Sequence, residues 1–212
     1  SAKMMVQKMV AIDMPAGPSE VLVIADETSN PAFVAADLLA QAEHGIDSQS
    51  VLVATSTEII DRTMAEIAVQ VEALTRKETT AKALNNSYAV LVADLDEAME
   101  FSNEYAPEHL ILATDNHELL KPSIVNAGSV FLGNFTPESV GDYASGTNHT
   151  LPTSGFAKAY SGVSIDAFVK KITFQEVTKI GLNNIAKTVE TLALAEGLDA
   201  HKNAVTIRLT GN

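Results

Sequence analysis

The sequence predicts an α/β fold in which a parallel-rich sheet is flanked by helices. Short apolar, β-branched runs alternate with longer helical patterns up to residue 132, and this alternation is typical of a parallel sheet covered on both faces. The chain has 212 residues, of which 46% are hydrophobic and only 19% charged. A chain of this size and composition can bury a sizeable core without disulfides or other cross-links.

Five apolar runs are predicted as strands. Glu20–Ala25 is uninterrupted and lies between Gly17-Pro18 and Asp26, as expected of a strand buried on both faces. The other four predicted strands cover residues 50–54, 88–93, 110–113 and 129–132.

Helices are predicted between these strands. Asn30 and Pro31 are the N-cap and first residue of a helix that runs to His44 and stops at Gly45. Thr55 or Ser56 caps a second, long helix. Further helices are predicted over residues 77–85, 95–105 and 116–120.

The composition changes after Gly133. Residues 133–163 are rich in Gly, Ser, Thr, Asn and Pro, and their aromatic residues favour an ordered, packed loop. A short strand is predicted near residues 172–174, a helix over 176–196 and a last segment over 199–209. We therefore predict two parts: residues 1–163, a partial Rossmann-like α/β domain, and residues 164–212, a mostly helical C-terminal appendage.

Charge and cysteine content exclude several classes of function. The net charge of −13 disfavours nucleic acids and anionic membrane surfaces as partners. Without cysteine the chain has no disulfide, thiolate zinc site or cysteine nucleophile, so a metal would need His, Asp, Glu, Asn or Gln ligands. There is no apolar run of transmembrane length and no signal peptide at the first residues, and we expect a cytoplasmic protein.

The most informative local feature is Glu108-His109, an acid/base pair directly after Pro107. Pro107 disfavours helix at Ala106, so a helix should end at Tyr105 and the pair should lie in the turn that enters a buried strand. Adjacent Glu-His pairs are more often solvated surface residues. The functional interpretation of this pair is supported by other polar clusters in the sequence. Ligands of parallel sheets bind beyond the carboxyl ends of strands, so its placement depends on the strand direction.

Three of those clusters contain potential metal ligands. Gln41 and His44 are three residues apart at the end of one helix and share a face, although His44 could instead be a helix C-cap. Asp142 lies in a glycine-bracketed loop that also carries His149, and His201 follows Glu196 across a helix break. Each of these also fits an ordinary turn or surface loop.

His117, in a polar turn, is predicted to be an exposed surface residue. Motifs for a phosphate-binding loop, a Rossmann glycine fingerprint, a hydrolase nucleophile elbow and an HExxH zinc site are absent from the sequence.

Six segments, taken in order, resemble the histidinol dehydrogenase family. They are AIDMPAGPSEV (11–21), DLLAQAEHG (37–45), YAPEHL (105–110), GSVFLG (128–133), GDYASGTNH (141–149) and AHKNAVT (200–206). The resemblance extends over nearly the whole chain, and six ordered motifs make it very specific. Family members are much longer at the N-terminus, where most contacts to the nicotinamide dinucleotide are made, so the chain resembles the family's C-terminal half.

The resemblance implies the oxidation of L-histidinol to L-histidine through an aldehyde, with two NAD+ and one Zn2+. The implied metal ligands are Gln41, His44, Asp142 and His201. His109 would take the alcohol proton, and Glu108 would activate the water that attacks the aldehyde. The implied substrate contacts are the four metal ligands, His109, Ser19 and Glu196, with His149 a weaker candidate.

The resemblance also implies a homodimer in which the C-terminal segment crosses to the partner, so that His201 and Glu196 serve the neighbouring site. Two other interpretations stay open: a zinc hydrolase that turns over without NAD+, and a catalytically silent fragment that folds and dimerises. On this basis we expect the isolated chain to fold without forming NADH from histidinol.

Overall fold

The computed structural model describes residues 2–7 and 9–211, which fall into two compact units, Ser1–Val169 and Lys170–Asn212. The first unit contains one five-stranded sheet in which every pairing is parallel. Its strands are β1 (Glu20–Ala25), β2 (Gln49–Ala54), β3 (Tyr88–Leu91), β4 (His109–Ala113) and β5 (Ser129–Leu132). Their spatial order is β3-β2-β1-β4-β5. The α/β fold predicted from the alternating pattern is confirmed.

Helices precede, connect and follow these strands. In the first unit they are α1 (Ala2–Val6), α2 (Pro31–Ala42), α3 (Thr57–Gln70), α4 (Lys77–Leu84), α5 (Leu95–Tyr105), α6 (His117–Leu120) and α7 (Glu138–Tyr143). Short 3₁₀ turns occur at Val71–Ala73, Lys121–Ser123, Phe156–Lys158 and Ile165–Phe168. The N-caps Asn30, Ser56 and Asp94 each accept a hydrogen bond from a backbone N–H of the helix that follows.

The core has two layers because β1 is buried on both faces. Val21, Val23 and Ala25 pack with residues of α2 and α3, whereas Leu22 and Ile24 pack with residues of α5 and α6. Burial of all six residues of β1 explains why its sequence is continuously apolar after Glu20 rather than alternating.

The second unit consists of two helices, α8 (Lys179–Ala195) and α9 (Asp199–Thr210), which pack against each other. The strand predicted near residues 172–174 is wrong, because residues 169–178 form no helix or strand. Thr178 is the N-cap of α8 and its side chain accepts from the Gly181 N–H, so the helix starts three residues later than predicted.

Two further sequence predictions need correction. The helix expected to reach His44 ends at Ala42 with Glu43 as its C-cap, so His44 lies beyond the helix and is not its cap. The segment 133–163, expected to be a loop, contains α7. None of the helices in the described part of the chain combines the length and apolarity needed to cross a bilayer.

Candidate active site

The candidate active site lies at the amino ends of β1 and β4, which are neighbours in the sheet. Val21 pairs with His109 in the parallel register, so the residues just before β1 lie beside those just before β4. A cavity of about 310 Å³ opens here. Its lining residues are Ser19, His44, Glu108, His109, Asp142, Tyr143 and His149. Six of these seven residues were singled out from the sequence, and Tyr143 was not.

Backbone geometry brings Glu108 to this edge. Ala106, at the C-terminus of α5, has a left-handed conformation with φ of 56°, which ends the helix where Pro107 predicted it would end. Gly128 then passes directly over the Glu108 backbone, where an added Cβ would lie 2.6 Å from the Glu108 carbonyl oxygen. The Ser129 N–H donates to that same carbonyl at 2.9 Å, so Glu108 is tied into the β4–β5 ladder.

The Glu108 carboxylate is buried, and one of its oxygens accepts two hydrogen bonds. Its Oε2 accepts from the Ser19 hydroxyl at 2.5 Å and from the Glu20 N–H at 3.1 Å. Burial raises the pKa of Glu108 to about 7, although both of these hydrogen bonds act to lower it. A carboxylate whose pKa lies near neutrality is suited to accept a proton from water or substrate at pH 7.

The His109 ring is buried next to this carboxylate. Its Nδ1 lies 3.1 Å from the carbonyl oxygen of Glu20, which can only accept, so Nδ1 carries the proton of the neutral ring. Burial lowers the pKa of His109, and the ring is therefore neutral at pH 7. With Nδ1 engaged, Nε2 is left as the basic nitrogen.

Glu20 is a further buried carboxyl group that the sequence analysis did not identify as part of the site. Its Oε1 accepts from the Ser154 N–H at 2.8 Å, and the Gly17 N–H donates to Thr153 Oγ1 at 2.6 Å. These bonds hold the segment before β1 against residues 153–154 and so fix the position of Ser19. The available signal was an acidic residue at the first position of an otherwise apolar strand.

A possible cation site adjoins the acid/base pair. One ligand atom from each of His44, Glu138 and Asp142 lies within 4.8 Å of the others. Gln41, in α2 just before His44, is fully buried, and neither its Oε1 nor its Nε2 has a hydrogen-bond partner in the described part of the chain. The buried amide oxygen of Gln41, like the imidazole of His44 and the two carboxylates, is a type of ligand that divalent cations accept. The nitrogen and oxygen set expected from the absence of cysteine is therefore compatible with the geometry.

Glu138 was not predicted, because α7 lies in the segment expected to be a loop. The side chain is 2% exposed, Oε1 is 3.7 Å from His109 Nδ1, and Oε2 has no hydrogen-bond partner among the residues that the structure describes. Burial, together with the smaller effects of the nearby Asp142, Glu108 and Asp37 carboxyls, raises the pKa of Glu138 to about 9. At pH 7 this carboxyl group is consequently protonated.

Three further residues discussed from the sequence belong to other elements of the chain. Glu196 and His201 belong to the second unit, at the end of α8 and in α9, so their part in the site stays a prediction. His117, predicted to be an exposed surface residue, is half-buried: its side chain is 28% exposed, its ring packs against Gly133 and its Nδ1 lies 2.9 Å from the Thr114 carbonyl oxygen. It is not among the residues that line the candidate active site.

Ligands of parallel sheets usually bind beyond the carboxyl ends of the strands, whereas this site lies at the amino ends. The carboxyl ends of the strands border a separate cavity of about 500 Å³. It is lined by Asp26, Glu27, Thr55, Ala93, Asp94, Leu95, Asp96 and Asn116. Asp26, the deepest acid, already accepts from Thr28 and Thr114. An acidic lining of this kind disfavours the phosphates of a nucleotide.

Comparisons with known proteins converge on one family. The sequence model of the histidinol dehydrogenase family matches residues 1–209. A histidinol dehydrogenase of Bacteroides thetaiotaomicron is 60% identical over 200 residues, covering 94% of this chain and 47% of the relative. The chloroplastic histidinol dehydrogenase of Arabidopsis thaliana is 57% identical over 213 residues, covering 99% of this chain and 46% of the relative.

A solved structure agrees with these sequence relatives. The crystal structure of histidinol dehydrogenase from Elizabethkingia anophelis superimposes with a TM-score of 0.94 at 58% identity, covering 99% of this chain and 48% of that chain. The chain thus spans about half the length of the relatives it matches.

Proposed function

The chain belongs to the histidinol dehydrogenase family, and we propose that it carries the acid/base pair and most of the metal site for oxidising L-histidinol to L-histidine. The reaction consumes two NAD+ and one water and passes through an aldehyde. The observation that carries the proposal is the buried Glu108-His109 pair, held by Ser19 and Glu20 beside a cluster of metal-binding side chains.

His109 acts in the proposed reaction as the base that takes the alcohol proton on Nε2. Its Nδ1 proton is held by the Glu20 carbonyl, and the ring stays neutral near pH 7 because burial lowers its pKa. The low exposure of the ring excludes bulk water from the proton that is transferred.

Glu108 acts in the second oxidation, where it removes a proton from the water that adds to the aldehyde. Its pKa near 7 means that a substantial fraction is ionised at neutral pH and able to accept that proton. Ser19 donates to the same carboxylate and fixes its orientation.

Gln41, His44 and Asp142 would hold a Zn2+ ion together with His201, which we propose comes from the partner subunit of a homodimer. When bound, the ion would orient the substrate and polarise the groups attached to it. The dinucleotide, when bound, would accept the hydride. Ser19 and Glu196 are the further proposed substrate contacts, and we propose no membrane or nucleic-acid partner and a cytoplasmic location.

A chimaera tests the proposal. The chain replaces the matching 200 residues of the Bacteroides thetaiotaomicron relative, and NADH formation from histidinol is followed by absorbance. We expect His109→Asn to lower the rate by about 100-fold or more, the usual contribution of a general base, with zinc content retained. His44→Asn should lose zinc, and His117→Asn is the matched control.

Retention of both rate and zinc by the His109 and His44 variants would contradict the assignment. Turnover of the chimaera on an ester or amide substrate without NAD+ would instead favour a hydrolase. We also expect the chain alone to form no NADH, and its oligomeric mass by analytical ultracentrifugation tests the proposed dimer.

A further inference from the structure

Glu138 is a buried acid to which the proposed reaction gives no role. It is the first residue of α7 and lies against His109, and its carboxyl oxygen Oε2 has no hydrogen-bond partner within residues 2–7 and 9–211. A buried polar atom without a hydrogen bond costs folding free energy. Its presence at the centre of a candidate active site therefore calls for a functional explanation.

The placement of Glu138 follows from a close contact further along α7. Gly141 faces the Phe131 ring so closely that a Cβ on it would lie 2.7 Å from Phe131 Cε1. The His109 ring packs on the same phenyl group, with ring centroids 6.0 Å apart. Because Gly141 lets α7 approach Phe131, Glu138, one turn earlier on the helix, reaches the imidazole.

Three oxygens surround the Nδ1 edge of His109. The Glu20 carbonyl oxygen is at 3.1 Å, Glu108 Oε2 at 3.6 Å and Glu138 Oε1 at 3.7 Å. Glu108 Oε2 already accepts hydrogen bonds from the Ser19 hydroxyl and from the Glu20 N–H. Glu138 Oε1 lies 3.7 Å from His109 Nδ1, and a carboxylate oxygen of Glu138 also lies within 4.8 Å of ligand atoms of His44 and Asp142. At 3.7 Å the contact is electrostatic rather than a hydrogen bond.

We infer that Glu138 is a positioning residue that acts through His109: its Oε1 and the Glu20 carbonyl together keep the imidazole proton on Nδ1 and turn Nε2 toward the cavity. The inference rests on the proposed function only in giving Nε2 the role of base. The tautomer itself is a property of the folded chain. An alternative is that Glu138 serves the cation site, since it lies within 4.8 Å of ligand atoms of His44 and Asp142.

Nitrogen-15 NMR of the histidine rings tests this inference directly, because the chemical shifts of Nδ1 and Nε2 distinguish the two neutral tautomers. The 212-residue chain is labelled with ¹⁵N-histidine and measured with a chelator and again with Zn2+. Glu138→Gln keeps an oxygen at the Oε1 position, whereas Glu138→Met keeps the length and apolar volume but has no oxygen. Glu100→Gln, at an exposed position of α5, is the control.

We expect His109 to be the Nδ1–H tautomer in the wild type, in Glu138→Gln and in the control. In Glu138→Met the ratio of Nδ1–H to Nε2–H should fall by about threefold or more, because one of the two oxygens that favour Nδ1–H is lost. Recovery in Glu138→Gln separates positioning from a purely structural effect, since that variant restores the oxygen without restoring an ionisable group.

Two results would overturn the inference. One is an Nε2–H or charged His109 in the wild type, which needs no variant to fold. The other is a His109 tautomer ratio in folded Glu138→Met equal to that of the wild type, which would mean that the Glu20 carbonyl suffices. Loss of Zn2+ binding by that variant with an unchanged His109 spectrum would assign Glu138 to the cation site instead. Neither result depends on whether the chain oxidises histidinol.

Discussion

The most direct energetic consequence of the buried carboxyl at position 138 is a loss of stability at alkaline pH. Burial raises the pKa of Glu138 from 4.5 to about 9, so between these values the folded chain holds a proton that the unfolded chain has lost. The free energy of unfolding then falls as pH rises, by about 1.4 kcal/mol per pH unit for one proton. Stability from this group is fully present below pH 4.5 and is lost as pH rises through about 9.

Glu138→Gln removes this dependence, since glutamine resembles the protonated acid and does not ionise. Between pH 7 and 9 the wild type should lose about 2 kcal/mol that the variant keeps. Urea denaturation followed by circular dichroism, with a chelator present, measures both proteins across this range. Glu108 and Asp37, whose pKa values burial raises to about 7, are present in both proteins, so the difference between the two stability curves reports on Glu138.

Glu100→Gln, on the exposed face of α5, should keep the slope of the wild type because its carboxyl group remains in water when the chain folds. Parallel stability curves for the wild type and Glu138→Gln from pH 7 to 9 would refute the reasoning. Such curves would mean that Glu138 is ionised in the folded chain and that water or a cation compensates its charge.

Three other substitutions have defined outcomes. Gly141→Ala places a Cβ 2.7 Å from the Phe131 ring and should lower the free energy of unfolding, measured by urea denaturation, by about 1–3 kcal/mol. An unchanged urea concentration at the midpoint of unfolding would contradict this contact. Ser19→Ala removes a hydrogen bond to the Glu108 carboxylate and should raise the pKa of Glu108 in a ¹³C-carboxyl NMR titration, so a lower or equal value would count against it. Ser154 has a left-handed backbone conformation with φ of 57° at an exposed position. Ser154→Gly removes this strain, so the free energy of unfolding should rise by about 0.5 kcal/mol and the melting temperature should rise with it. A lower melting temperature would mean that the serine side chain stabilises the fold by more than the strain destabilises it.

The regular elements could be predicted because their signals are local. Glu20–Ala25 and Ser129–Leu132 have the predicted bounds, since each is an apolar run between turn residues. The end of α5 at Tyr105 followed from Pro107 and the restriction it places on the preceding residue. By contrast, a strand near residues 172–174 was wrong because a short apolar run forms a strand only where a neighbouring strand provides its hydrogen bonds.

The candidate site was only partly predictable for a different reason. Glu108 and His109 stood out as adjacent acid and base, but their environment depends on strand direction and register, which are properties of the whole sheet. Glu138 could not be found, because its importance comes from the packing of α7 on Phe131 and not from its neighbours in sequence. For Glu196 and His201 the assignment rests on the resemblance to the family and stays a prediction.

The inclusion of Glu108 in the β4–β5 ladder has a consequence for how the acid/base pair moves. The Gly128 and Ser129 amides donate to the carbonyls of Pro107 and Glu108, so displacing the glutamate backbone means breaking interstrand bonds of the central sheet. Hydrogen exchange at Ser129 should therefore require opening of the sheet itself, with a protection factor close to that of the most slowly exchanging core amides. His44 lies beyond the end of its helix, where its N–H donates to the Gln41 carbonyl at 3.2 Å and its carbonyl accepts from Arg76 at 3.4 Å. Moving His44 therefore breaks local bonds only, whereas moving Glu108 disrupts the sheet.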